Sequence, residues 1–147
     1  MKKWFIVFFS LFAFVLSSAH AGPKNKFKED KVWAFITANA EVDYVVYGKR
    51  DSLVQTNNDA GEPIAIATFR IHSGKNIMYE RRYVKISDCI RGQGSLVAVD
   101  LNGVYLFENQ FILDGQDTTV KDAIATRICY PVLNPNQPSS KSNNKEA

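Results

Sequence analysis

Between residues 32 and 112 apolar side chains recur at every second position, interrupted by clusters of Gly, Pro, Asn, Asp and Ser. That period builds sheet, because successive side chains of a strand leave on opposite faces. Trp33, Phe35 and Thr37 alternate with Ala34 and Ile36, and Val42, Tyr44 and Val46 alternate with Asp43, Val45 and Tyr47. Asn57, Asn58, Asp59, Gly61 and Pro63 separate a predicted short strand over 53–56 from a longer one over 64–72. Ser73-Gly74-Lys75-Asn76 makes the next turn, before a long predicted strand over 77–89 and a turn at Arg91-Gly92-Gln93-Gly94. Strands over 96–101 and 104–112 flank Asn102-Gly103, a two-residue hairpin signal because these residue types tolerate positive φ. Strands joined by turns this short run antiparallel.

One segment breaks the pattern. After the loop Asp114-Gly115-Gln116-Asp117, Thr118 or Thr119 is suited to cap a helix in which Val120, Ile124 and Ile128 recur every four residues, with Ala123 on the same side. Asp122, three residues after Thr119, resembles a capping box with Asp in the Glu position, and Pro131 is expected to end the helix just past Cys129. The flanks are different. Residues 22–31, GPKNKFKEDK, read as a flexible leader, and residues 134–147, with no apolar residue before the terminal Ala, read as a disordered polar tail. A single domain over 32–133 remains.

The amino terminus reads as an export signal. Lys2 and Lys3 precede the run WFIVFFSLFAFVL, and small residues around Ala19 and Ala21 follow, so residues 1–21 are expected to be cut off between Ala21 and Gly22. The apolar run is shorter than the roughly 20 residues that span a bilayer core. No Cys stands near the cut to accept a lipid anchor, so the expected place is the periplasm or the medium, with surface display left open. No membrane span is expected after cleavage. In an oxidising compartment the two cysteines, Cys89 and Cys129, are expected to join. With one in the predicted long strand and the other in the helix, the bond would tie helix to sheet. The expected fold class is α+β: an antiparallel sheet of about six strands with one carboxy-terminal helix packed on it.

Composition then narrows the chemistry. The whole chain carries a formal charge of +3, but residues 1–21 hold two of its 18 basic side chains and none of its 15 acidic ones. The remainder is almost neutral and supplies no field for nucleic acid. Beyond the signal the only His is His72, so no paired-His zinc site and no H-E-x-x-H helix exists, and no catalytic, metal or cofactor set is predicted. Gly92-Gln93-Gly94 lacks the Lys-Ser/Thr of a phosphate loop. The one candidate partner-binding cluster is on the long strand. Alternation puts Tyr79, Arg81, Tyr83 and Lys85 on one face, with Arg82 beside them in the cluster, and Tyr and Arg are favoured at protein interfaces.

A Trp-bearing first strand (Trp33), a Tyr-rich second (Tyr44, Tyr47), the run Lys85-Ile86-Ser87-Asp88-Cys89 and a final helix ending Ala125-Thr126-Arg127-Ile128-Cys129 resemble the surface-adhesin protein E family of Gram-negative bacteria. The likeness covers about residues 32–130. It implies an antiparallel sheet, a carboxy-terminal helix held by a disulfide, a homodimer and adhesion without catalysis, and of the family's residues only Cys89 and Cys129 carry over. The expected function is therefore an exported, non-catalytic binding module that meets a protein partner through a sheet face or edge. The alternatives are a periplasmic enzyme using His72 with a neighbouring carboxylate, and an envelope structural or stress protein without a ligand.

Overall fold

The computed structural model describes residues 29–137. The expected signal peptide with its expected cut between Ala21 and Gly22, most of the predicted leader and the predicted tail beyond residue 137 lie outside the described residues. The alternating segments form β1 (Trp33–Asn39), β2 (Tyr44–Lys49), β3 (Val54–Asn57), β4 (Pro63–Ser73), β5 (Asn76–Lys85), β6 (Gln93–Val99) and β7 (Tyr105–Ile112). Two helices accompany them, α1 (Ile86–Arg91) and α2 (Val120–Leu133), with a short 3-10 turn at Ala40–Val42. The strands make one antiparallel sheet in the order β1-β2-β4-β5-β6-β7, and β3 pairs with the start of β4.

The registers decide which side chains share a face. Ala67 lies opposite Arg82, Phe69 opposite Glu80 and Ile71 opposite Met78. Val84 lies opposite both Ala65 and Leu96. On this face α2 packs Ile124, Ala125 and Ile128 against Phe69, Ile71, Val84, Leu96 and Phe111, all buried. Each Val, Leu, Ile or Phe among them, fully withdrawn from water, contributes about 1.5–3 kcal/mol. The other face carries Phe35, Tyr47, Arg70, Tyr79, Arg81, Tyr83 and Lys85, and the core of the fold does not lie on it.

The long strand stops earlier than its alternation suggests. After Lys85 the chain turns into α1, which Gly92 closes at φ +73 by donating its backbone N–H to the carbonyls of Asp88 and Cys89. Asp88 in the first turn and Arg91 in the last form an ion pair and suit the helix dipole. Cys89 is thus a helical residue, and its disulfide with Cys129 joins α1 to α2 across a Cα–Cα distance of 5.2 Å. The bond ties the main helix to a short helix at the end of β5, not directly to a strand. Asp88 also sets the start of β6: its Oδ2 accepts the N–H of Ser95 at 3.2 Å, and a Cβ at Gly94 would overlap its carboxylate.

Two other boundaries shift for local reasons. The β6–β7 connection is wider than a two-residue turn, because the Asp100 carboxylate accepts N–H bonds from Asn102 at 2.8 Å and Val104 at 2.9 Å. Asp100 N–H donates in turn to the Val104 carbonyl at 2.9 Å. In α2, Thr119 caps as expected, accepting from Asp122 N–H at 3.3 Å. The helix carries Pro131 inside its last turn and runs on to Leu133, so it does not end just past Cys129 as Pro131 suggests. Asn134 then donates to the Tyr130 carbonyl and Gln137 to the Asn134 carbonyl, so the first residues of the polar tail fold back on the helix end.

Candidate functional site

The sheet face turned away from α2 gathers side chains from four strands. Directly opposed pairs put Phe35 beside Tyr47 and Tyr47 beside Arg70, and the next strand puts Arg70 beside Tyr79. The Arg70 guanidinium lies over two rings, its Cζ 4.9 Å from the centre of Trp33 and 4.6 Å from that of Tyr47. A cation so placed is attracted by both ring quadrupoles. Trp33 reaches on to Tyr79 with ring centres 5.7 Å apart, and Tyr47 meets Phe35 at 6.2 Å and His72 at 5.2 Å. Tyr79 is about half exposed at the rim.

Charge on this face is only partly matched. Arg70 has Asp30 at 3.9 Å, and two backbone N–H bonds, from Trp33 and Val32, hold the Asp30 carboxyl below its ordinary pKa. Lys85 spends its charge on Glu62 at 2.8 Å, which raises the Lys85 pKa and lowers that of Glu62. Arg81 makes no ion pair or hydrogen bond among the described residues, and its Nε is buried without a partner. Burial, followed by the Glu108 charge, pushes the Tyr83 phenol up. Glu29 and Asp30, which fall in the predicted leader, are tied down here: Glu29 pairs with Arg50 at 2.9 Å and accepts from Phe35 N–H.

Of the five candidates on the long strand, Tyr79, Arg81, Tyr83 and Lys85 share the uncovered face. Arg82 does not. It lies on the helix-bearing face, 3% exposed and paired with Glu80 at 5%, because the strand period sends adjacent residues to opposite sides. Its guanidinium is 5.3 Å from the Phe107 ring centre, in the wall of an open groove of about 800 Å³ beside the start of α2. Trp33, Tyr47, Arg70 and His72 join the uncovered face without having been named for it. The i, i+2 pairs Trp33/Phe35 and Arg70/His72 each signalled a shared side, but only the β2–β4 and β4–β5 registers bring them to Tyr79.

His72, the residue on which a catalytic reading depends, sits against Tyr47 with its Nε2 buried and unpartnered. Burial and then the Arg70 charge lower its pKa. Neither influence is a carboxylate that would make it a stronger base. Among the described residues no three His, Cys, Asp or Glu side chains gather as a metal site, and no helix is long and apolar enough to cross a membrane. No family model, curated protein or solved structure matches the chain.

Proposed function

We propose that this chain is an exported, non-catalytic binding module of the surface-adhesin protein E type, which contacts a protein partner through the uncovered face of its sheet. The observation that carries the reading is the Arg70 guanidinium stacked on Trp33 and on the buried Tyr47, with the half-exposed Tyr79 at the rim next to Arg81, which has no ion pair among the described residues. Trp, Tyr and Arg are the residue types that dominate binding energy at protein interfaces, and pre-stacked side chains lose little rotamer freedom on contact. The sheet with a carboxy-terminal helix and one disulfide agrees with what the family likeness implies, and the signal-like amino terminus supports export to the periplasm or the medium. A second copy of the chain is one partner the likeness suggests.

Replacing Tyr79 by Ala together with Arg81 by Glu tests the reading. Protein isolated from its native envelope or medium should lose its co-purifying partner, while the circular dichroism and melting of the variant stay those of the parent. An undiminished partner on the doubly substituted protein would remove this face from the account.

A further inference from the structure

The edge of the sheet at β7 is left open. Every residue from Leu101 to Gln110 is exposed, including Leu101, Val104, Tyr105, Leu106 and Phe107, and Ile112 beyond them is 59% exposed. β7 pairs with β6 on one side and no strand of the described chain lies on the other. Its amides alternate in direction. Leu113 N–H bonds inward to the Gly92 carbonyl at 2.7 Å, whereas Ile112 N–H points outward and is taken by the Asp122 carboxylate of α2 at 3.1 Å. By the same alternation Glu108 and Gln110 present their N–H and C=O groups outward, where no strand takes them. Natural edges are usually blunted by Lys, Pro or an inward-pointing charge. β7 has no Lys, Arg or Pro, and among the described residues its one charge, Glu108, has only a hydroxyl contact from Ser95 at 3.2 Å and no cation.

We infer that β7 is a docking edge that takes an extended segment of a partner protein as an additional strand, apolar at alternate positions and with a Lys or Arg opposite Glu108. The backbone of the incoming segment pairs with the outward groups of Glu108 and Gln110. Its apolar side chains lie beside Phe107 on the face opposite Glu108, and its cation completes the carboxylate that has no cation among the described residues. Asp122 marks where the edge ends, since the outward amide of Ile112 is already capped. Like charges directly opposite each other in a ladder are unfavourable, so a segment bearing Glu at that position is rejected, as is a second copy aligned with Glu108 on Glu108. The inference rests on the binding-module reading but on a different surface, and Tyr79→Ala should leave it unchanged.

The capped peptide Ac-Thr-Val-Lys-Val-Thr-NH2 serves as the probe, with its Lys→Glu counterpart, and amide hydrogen exchange at Glu108 and Gln110 as the readout. With the Lys peptide in excess, exchange at these two amides is expected to slow by about tenfold or more, as for amides entering a ladder. The Glu peptide should need at least about ten times the concentration for the same effect, a difference the charge opposition supplies. Glu108→Gln protein, which alters only an exposed side chain, should bind both peptides alike. The inference is overturned if the Lys peptide slows neither amide, or if wild-type protein treats the two peptides equally. It is also overturned if the amides slow with protein concentration alone, which would give the edge to a second copy.

Discussion

Gly94 shows how a single missing Cβ holds this fold in register. The Asp88 carboxylate lies where that Cβ would stand and is itself spent on Ser95 N–H and Arg91. Gly94→Ala should therefore cost about 1–3 kcal/mol, the usual penalty of overpacking a closed site, read as a lower denaturant midpoint at unchanged slope. His72 supplies a pH dependence with a definite sign. Its folded pKa is depressed by burial and by Arg70, so as the pH falls through the ordinary histidine range near 6.5 the unfolded chain binds a proton before the folded one does. Stability then declines on acidification until the folded pKa is reached. His72→Gln should flatten the loss between about pH 7 and pH 5, seen as a melting temperature that falls less with acidification in the variant than in the parent. A variant that declines as steeply as the parent would show that His72 is not the group responsible. Neither effect is visible in the chain alone: Gly94 falls in a predicted turn and meets Asp88 only because α1 replaces the end of the predicted strand, and His72 ends a predicted strand and meets Tyr47 only through the β2–β4 register.

At the scale of elements, most strands were legible, because alternation and turn chemistry agree from Trp33 to Ile112. The long strand was overextended for a physical reason. Ile86 continues the two-residue period of Val84, and period alone cannot see that Asp88, Arg91 and Gly92 stand where a short helix wants an acid, a base and a left-handed cap. The two cysteines still found each other, since the pairing followed from count and compartment and not from which element held them. Joining residues 40 apart constrains the unfolded chain by about 4 kcal/mol in the chain-entropy model. Cys129→Ser should lower stability by roughly that amount and loosen α2 before the sheet, with faster hydrogen exchange at Ile124 and Ile128 than at Phe69. Equal exchange in all three would mean that packing alone holds the helix. The β6–β7 connection spans Asp100–Val104, three residues more than the predicted Asn102-Gly103 turn, because the Asp100 side chain replaces backbone partners, a bond that residue type permits but does not announce.

Among the described residues the molecule is a sheet with one face closed by a helix and the other without a covering element, and that asymmetry underlies the functional reading. Four of the five residues predicted on the long strand do lie together on the open side. The fifth, Arg82, could not, because the same alternation that gathers Tyr79, Arg81, Tyr83 and Lys85 sends it inward to Glu80. Strand order remained out of reach of the sequence, so the contribution of Trp33 and Arg70 emerged only when β1, β2, β4 and β5 were side by side. The most direct test of the central claim is a photo-crosslinking amino acid placed at Tyr79, with Arg127 on the outer side of α2 as the comparison, activated in the cells that produce the protein. The account predicts a specific higher-mass adduct from position 79 and none from 127, whether the adduct contains a second copy or another protein. Adducts from 127 with none from 79 would contradict it.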